Sequence, residues 1–182
     1  RTALEHGELS IHYQPQVDLA HGAVCGSEAL LRWRHPEFGM VCPAEFIPLA
    51  EEAGLIEKLG TWVLREVCFQ NKAWLDAGLP LLPIAVNVSA KQLHHGDLVG
   101  TLMSLLAESG LPAAGLEIEL TETAFIEDLD KAKSIIEEIK ALGVRLAIDD
   151  FGTGYASLSL LSSIPFDKIK IDQSFVQDII EN

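Results

Sequence analysis

From residue 84 onward, short apolar stretches alternate with amphipathic helical patterns, and this rhythm constrains the fold more than any other feature of the sequence. Strands and helices that alternate in this way predict parallel βα units around one sheet. The predicted strands are residues 84–89, 116–122, 144–150 and 166–172, and the predicted helices are 98–109, 128–142 and 155–162, with a further element starting at 175–180.

Two more strands are predicted before this repeat. Residues 9–15, with an extension to residue 19, and residues 24–33 both alternate apolar and polar side chains with the period of a half-buried strand. Only a short turn separates them, so they are predicted to form an antiparallel hairpin. Helical patterns follow at 43–54 and 59–77.

A polar side chain stands near the carboxyl end of each of five predicted strands. In a βα barrel the functional groups come from several strand ends, whereas in an open doubly wound sheet they gather at one switch point. Five contributing strands therefore favour the barrel. Glu117 lies on the same strand face as one of them, and from spacing alone either glutamate could be the functional one. The five residues are Glu28, Asn87, Glu119, Asp149 and Lys170.

Two adjacent carboxylates, Asp149 and Asp150, end the apolar strand that begins at Val144. Gly152 and Gly154 would supply the turn that brings both carboxylates to one site, because glycine adopts positive φ without steric cost. Carboxylates at the mouth of a buried strand are costly unless a cation lies between them, which favours a divalent metal ion. The alternative is that the two aspartates begin a solvated loop.

The composition narrows the choice of partner and compartment. A net charge of −14 over 182 residues argues against a nucleic-acid polymer, but a small phosphate ligand neutralised by metal ions stays open. The three cysteines lack metal-site spacing and are interpreted as reduced thiols. Without a signal peptide or a long apolar run, the chain is predicted to be cytoplasmic, on its own or as the cytoplasmic part of a membrane-anchored protein.

Seven short motifs follow one another along the chain. They are Tyr13-Gln14-Pro15, Glu28-Ala29-Leu30 with Leu31-Arg32-Trp33 after it, Pro-Ala-Glu-Phe-Ile-Pro at 43–48, Asn87-Val88-Ser89, Glu119-Leu120-Thr121-Glu122, Asp-Asp-Phe-Gly-Thr-Gly-Tyr at 149–155, and Lys170-Ile171-Asp172. In this order they resemble the EAL family of cyclic di-GMP phosphodiesterases, and the resemblance covers essentially the whole chain. Each motif alone is weak, whereas all of them in order are specific.

The resemblance implies an α/β fold, a TIM-like βα barrel whose first strand is antiparallel. A barrel of this kind needs roughly 250 residues, and six strands are predicted here. Residues 1–182 are therefore expected to be one EAL domain that is incomplete at the C-terminus, with the last two strands and one metal-site glutamate missing from this chain.

The resemblance also implies a two-metal site. Glu28, Asn87, Glu119 and Asp149 would bind one divalent ion, and Asp150 would share a second ion with Asp149. Oxygen ligands suit Mg²⁺ or Mn²⁺, and the absence of a histidine or cysteine ligand set argues against zinc. Two such ions would activate a water that opens cyclic di-GMP to linear pGpG.

Further roles follow from the same resemblance. Lys170 would hold the attacking water, Asp172 would orient the water or the lysine, and Glu122 would brace the loop 149–155. Lys168, next to the functional lysine, is expected on the surface. The residues implied in catalysis are Glu28, Asp149, Lys170 and Asp172, and those implied in substrate binding are Gln14, Leu31, Arg32 and Asn87.

Two other functions stay open beside the phosphodiesterase. One is a receptor module that binds cyclic di-GMP without cutting it, and the other is an unrelated metal-dependent barrel enzyme. The resemblance further implies a homodimer, and a parent protein with a fused N-terminal sensor or GGDEF domain.

Overall fold

The computed structural model describes residues 2–152, 161 and 163–175 of the chain. Its strands are β1 (Leu9–Asp18), β2 (Ala23–His35), β3 (Gly39–Val41), β4 (Ile84–Val88), β5 (Leu116–Thr121), β6 (Arg145–Phe151) and β7 (Lys168–Ile171). Its α-helices are α1 (Thr2–Glu5), α2 (Pro43–Glu52), α3 (Ile56–Asp76), α4 (Ala90–His95), α5 (Leu98–Ser109) and α6 (Leu129–Ala141). Short 3₁₀ turns lie at Ala113–Gly115 and Glu122–Phe125.

The strands form one curled sheet in the order β1-β2-β4-β5-β6-β7, with β3 paired on β2. β1 and β3 run antiparallel to β2, and every other neighbouring pair is parallel. Three strands separate β7 from β2 in the sheet, yet the Nζ of Lys170 on β7 lies 3.0 Å from a carboxylate oxygen of Glu28 on β2. The predicted βα architecture with an antiparallel first strand is confirmed, and the described residues form an open half-barrel.

The two faces of the sheet differ in polarity, as β5 illustrates. Ile118 and Leu120 are fully buried in the core that helices α3, α5 and α6 complete on the outside of the curl. Glu117 and Glu119 alternate with them and lie inside the curl, where lysines of β7 contact them. Burial of a leucine or isoleucine side chain contributes roughly 1.5–3 kcal/mol, so the outer face stabilises the sheet while the inner face is free to carry polar groups.

The longest helix, α3, is stabilised by one stripe of buried side chains. The buried residues of α3 recur every three or four positions, which places them on one stripe of the helix. The stripe packs on the outer face of the sheet, and Trp74 at its end meets the ring of Tyr13 on β1 edge to face, with centroids 4.9 Å apart. The buried stripe comprises Ile56, Leu59, Val63, Leu64, Val67, Cys68 and Asn71.

Several elements differ from the sequence-based prediction. Strand β3 and helix α4 were not predicted, and α3 begins at Ile56 instead of residue 59. Gly54, with φ 66°, ends the preceding helix, and the chain re-enters a helical conformation two residues later. The predicted helix at 155–162 and the element predicted at 175–180 lie almost entirely outside the described residues.

The three cysteines are free thiols. Cys25 and Cys42 are exposed, and Cys68 is buried in the core, where burial raises its pKa to about 11. None of the helices in the described part of the chain is both long and apolar enough to cross a membrane.

Asp167 anchors the last strand to the preceding βα unit. Its carboxylate accepts hydrogen bonds from the backbone N–H of Leu146 at 2.7 Å and from the Nζ of Lys140 at 2.6 and 2.7 Å. Partial burial acts to raise the pKa of Asp167, but the hydrogen bonds from Lys140 and Leu146 outweigh it and lower the pKa. One side chain therefore connects β6, α6 and the start of β7.

We expect Asp167→Asn to lower the free energy of unfolding by about 1 kcal/mol at pH 7, since the charged bond to Lys140 is lost at a half-exposed site. Because the folded pKa is depressed, the contribution is complete above the ordinary aspartate pKa of about 3.9 and is lost as the pH falls through the lower folded value. Urea unfolding from pH 7 to pH 3 measures it. Asp130→Asn, an exposed change on α6, is the control, and equal effects of both variants at pH 7 would contradict the anchoring role.

Candidate active site

The structure brings together the five polar residues predicted at the strand ends. In the parallel part of the sheet, Asn87 pairs in register with Glu119, and Asp149 lies one pleat further on, opposite Thr121. Side chains two residues apart share a strand face, so these groups project into the curl at the same edge. A continuous set of contacts then links Asn87, Glu28, Lys170, Glu119 and Asp149.

Lys170 lies at the centre of this group. Its Nζ donates to Glu28 Oε2 at 3.0 Å, to Glu119 Oε2 at 2.7 Å and to Asp149 Oδ2 at 2.9 Å. Asn87 adds a fourth contact by donating its Nδ2 to the other oxygen of Glu28 at 2.9 Å. The ammonium thus uses its three protons on three carboxylates from three different strands.

Burial makes Glu119 the most strongly perturbed carboxylate of the group. Its side chain has no exposed surface, and burial raises its pKa to about 7. The hydrogen bond from Lys170 opposes this shift, whereas the nearby charges of Glu28 and Asp149 add to it. Burial by itself would lower the pKa of Lys170, but its bonds to Glu119 and Asp149 outweigh that effect and raise it, so the lysine is an ammonium at neutral pH.

The carboxylates could hold a metal ion. Glu28, Glu119 and Asp149 each offer one oxygen, and these three oxygens lie within 4.8 Å of one another. Glu119 Oε1 is buried and has no hydrogen-bond partner among the described residues, which is the state expected of an oxygen reserved for a cation. A set made only of carboxylates suits a hard divalent ion. The residues present therefore fit the implied metal.

The two glutamates of β5 make different contacts. Glu117 lies one layer deeper, where it pairs with Lys168 at 2.5 Å, whereas Glu119 belongs to the carboxylate cluster. The expectation that Lys168 is a surface lysine was wrong, because its ammonium is turned into the curl towards a buried glutamate.

The chain turns at Asp150, two residues before the first of the two glycines that were predicted to supply the turn. Asp150 has φ 53°, in the left-handed region that aspartate tolerates better than most residues, and its N–H bonds to Asp149 Oδ1 at 2.9 Å. Gly152 follows with φ 102°, and Gly154 lies outside the described residues. Partial burial is the largest cause that raises the pKa of Asp150, and the negative charges of Asp149 and Asp172 raise it further. The Asp150 carboxylate is therefore close to these acidic groups.

Glu122 lies beneath this turn. It is buried at 4 % exposure in the 3₁₀ turn Glu122–Phe125, and its Oε1 accepts the N–H of Gly152 at 2.6 Å. A buried carboxylate that bonds to the backbone of a turn restricts the turn's conformation. This contact joins the end of β5 to the end of β6.

The residues implied in substrate binding fall into two groups. Gln14 pairs in register with Glu28, next to the cluster, and Arg32 lies on the same face of β2, where its Nη1 donates to the Leu31 carbonyl at 2.9 Å. Leu31 itself packs against the main core and against a second buried cluster, so the structure does not bring its side chain to the carboxylates. The second cluster comprises Phe46, Ile56 and Leu59. Leu30, between Glu28 and Arg32 on the inner face, was missed, although strict alternation along β2 identifies it.

Asp172 makes its hydrogen bonds to the residues that follow it. Its Oδ1 accepts the N–H of Ser174 at 2.9 Å and also the Ser174 hydroxyl. These bonds lower the pKa of Asp172, the hydroxyl being the larger cause. The side chain thus fixes the turn after β7 and contributes negative charge near Asp150.

The chain belongs to the EAL domain family, whose match covers residues 1–182. It is 45% identical over 179 residues to MucR of Pseudomonas aeruginosa, a bifunctional diguanylate cyclase/cyclic di-GMP phosphodiesterase, with 98% of this chain and 26% of MucR covered. It is also 45% identical over 179 residues to the cyclic di-GMP phosphodiesterase PdeR of Escherichia coli, with 98% and 27% covered.

A solved structure of the PaMucR phosphodiesterase in complex with c-di-GMP superposes with a TM-score of 0.95 at 44% identity, covering all of this chain and 74% of that one. The fold and the order of the site-bearing strands therefore agree with a family member of known structure. The chain spans about a quarter of the length of the curated relatives described above.

We expect Glu122→Ala to free the turn after β6. Loss of the bond to the Gly152 N–H should speed hydrogen exchange of that amide by about tenfold, since one hydrogen bond to a charged group is worth roughly 1.5–3 kcal/mol. Amide exchange followed by NMR measures it. Glu127→Ala removes a half-exposed glutamate that follows the 3₁₀ turn Glu122–Phe125, and it is the control. Unchanged protection of Gly152 in Glu122→Ala would contradict the bracing role.

Proposed function

We propose that this chain is the catalytic unit of a metal-dependent phosphodiesterase that hydrolyses cyclic di-GMP to linear pGpG. The observation that carries the proposal is the convergence of Glu28, Glu119 and Asp149 on the ammonium of Lys170 at the carboxyl ends of the strands. Membership of the EAL family supports the substrate, since MucR and PdeR are phosphodiesterases of this dinucleotide.

Divalent cations are part of the proposal. Glu28, Asn87, Glu119 and Asp149 would hold one Mg²⁺ or Mn²⁺, and Asp150 would share a second with Asp149. Bound there, such ions would supply Lewis acidity towards the phosphate and lower the pKa of the attacking water. The Asn87 amide keeps Glu28 in place through its 2.9 Å hydrogen bond, which restricts the direction in which that carboxylate is presented.

Lys170 would act through hydrogen bonding and charge. Against the effect of burial, its bonds to Glu119 and Asp149 raise its pKa, which favours a role as hydrogen-bond donor over a role as general base. In the metal-free protein its three protons are donated to carboxylates. With divalent ions on those carboxylates, the ammonium would be free to donate to the attacking oxygen and stabilise its deprotonated form. Asp172 would assist by fixing the turn directly after this strand through Ser174.

Arg32 would bind a phosphate of the substrate. Its guanidinium extends from the same face of β2 as Glu28, and an arginine fork matches phosphate oxygens geometrically. Gln14, paired in register with Glu28 on the neighbouring strand, would add an amide contact. Leu30 lies between the two charged positions of β2 and would provide an apolar contact for a base or ribose.

The deciding experiment is a hydrolysis assay with cyclic di-GMP, using the protein that carries this chain at full length. We expect pGpG with Mg²⁺ or Mn²⁺, loss of turnover with a chelator, and recovery when the metal is restored. Binding of cyclic di-GMP without turnover would instead establish the receptor alternative. Absence of both binding and turnover would refute the proposal.

Homodimerisation and a fused sensor or GGDEF domain stay predictions.

We expect Glu28→Ala to lower kcat/KM for cyclic di-GMP at least about 100-fold, because even residues behind metal ligands typically cost 10–100-fold when removed. Glu137→Ala, an exposed glutamate on α6, is the matched control and should leave turnover unchanged. Normal turnover of Glu28→Ala, with an intact circular dichroism spectrum, would show that the metal assignment is wrong.

A further inference from the structure

A second ion pair lies inside the curl, one layer below the candidate site. Lys168 on β7 contacts Glu117 Oε1 on β5 at 2.5 Å, and Glu117 is only 1 % exposed. Each partner stands two residues before its counterpart in the layer above, Lys170 and Glu119. The two strands are therefore joined twice by side chains, and we call the deeper contact the lower ion pair.

The strand between the two partners of the lower ion pair carries a small buried residue. β6 separates β5 from β7, and its Ala147 is fully buried and pairs in register with Lys168 on β7 and with Glu119 on β5. A larger side chain at this position would compete for space inside the curl.

Lys168 has a second partner on the opposite edge of the sheet. Its Nζ lies 2.9 Å from Gln16 Oε1 on β1, the first strand of the sheet order, whereas β7 is the last. A bulge in the β1–β2 ladder directly follows Gln16. Gly26 makes room for this arrangement, because a Cβ there would lie 3.3 Å from the Gln16 oxygen and 3.0 Å from the Pro83 carbonyl.

The backbone alone holds Lys170 weakly. The pairing of β7 with β6 is registered at Ala147, Ile148 and Phe151, and it is irregular between the last two, which is where Lys170 stands. Where this ladder is irregular, side-chain contacts contribute to the position of Lys170.

We propose that Lys168 is a positioning residue for the active site. By tying β7 to Glu117 and Gln16, it fixes where the ammonium of Lys170 stands relative to Glu28 and Glu119. It acts through the strand and does not touch the carboxylates of the upper layer. This inference rests on the proposed function for its catalytic consequence, but its effect on the strand and on the metal ligands is measurable without turnover.

The test compares Lys168→Met with Lys72→Met in the full-length protein. Lys72 pairs with Asp76 on the surface of α3, so its removal also deletes an ion pair but far from the site. For Lys168→Met we expect Mn²⁺ affinity, measured by calorimetry, to fall about tenfold. We expect kcat to fall similarly with KM within twofold, and amide exchange at residues 169–171 of the metal-free protein to accelerate. Lys72→Met should change none of these.

A double variant separates positioning from simple stability. Lys168→Met alone leaves the Glu117 carboxylate buried and unpaired, which destabilises the fold. Glu117→Gln/Lys168→Met removes both charges and should regain thermal stability, yet keep the weakened Mn²⁺ binding and the fast exchange, since the tie to β7 is still missing. Recovery of metal affinity together with stability, or unchanged exchange and affinity in Lys168→Met, would overturn the proposal.

The outcomes also distinguish this inference from the proposed function. A wild-type protein that fails to hydrolyse cyclic di-GMP would refute the phosphodiesterase, while exchange at 169–171 would still decide whether Lys168 positions the strand. Conversely, normal turnover in the wild type with unchanged exchange, affinity and kcat in Lys168→Met would refute only the positioning role.

Discussion

One ammonium group donates a hydrogen bond to each of the three carboxylates on which the candidate site depends. Glu119 has no exposed side-chain surface, so water cannot screen its charge from Glu28 and Asp149. Lys170 bonds to all three carboxylates, and it can do so only because the sheet curls far enough to bring β7 towards β2. The compensation of charge in the site therefore depends on the curvature of the sheet.

The inner face of the half-barrel is built from complementary charges in layers. In many βα barrels the interior is filled by branched apolar side chains, whereas here Glu117 and Lys168 occupy one layer and Glu119 and Lys170 the next. Removing one partner of a buried pair costs more than the pair contributes, so each layer depends on both of its members.

The strand ends were predictable from the sequence because local patterns determine them. Alternation along β2 and β5 places Glu28 and Glu119 on an inner face without reference to any other strand. The start of helix α4 also carries a local sequence signal, because Ser89 and Gln92 form a capping box. The partners of Lys168 were not predictable, because they depend on how closely the curl of the sheet brings β7 to β5 and β1. Sequence spacing carries no information on that curvature.

Charge explains why a site of this composition would need added cations to accept a dinucleotide. The chain carries a net charge of −14, and the cluster itself has more carboxylates than ammonium groups, so a ligand with two phosphates meets an unfavourable field. Lys170 already donates to three carboxylates, whereas Arg32 on the inner face of β2 is placed to contact phosphate. Divalent ions bound to the carboxylates would reverse the sign of the local electrostatic potential. These ions would attract the anionic substrate that the carboxylates alone would repel, so metal binding and substrate binding should be thermodynamically coupled.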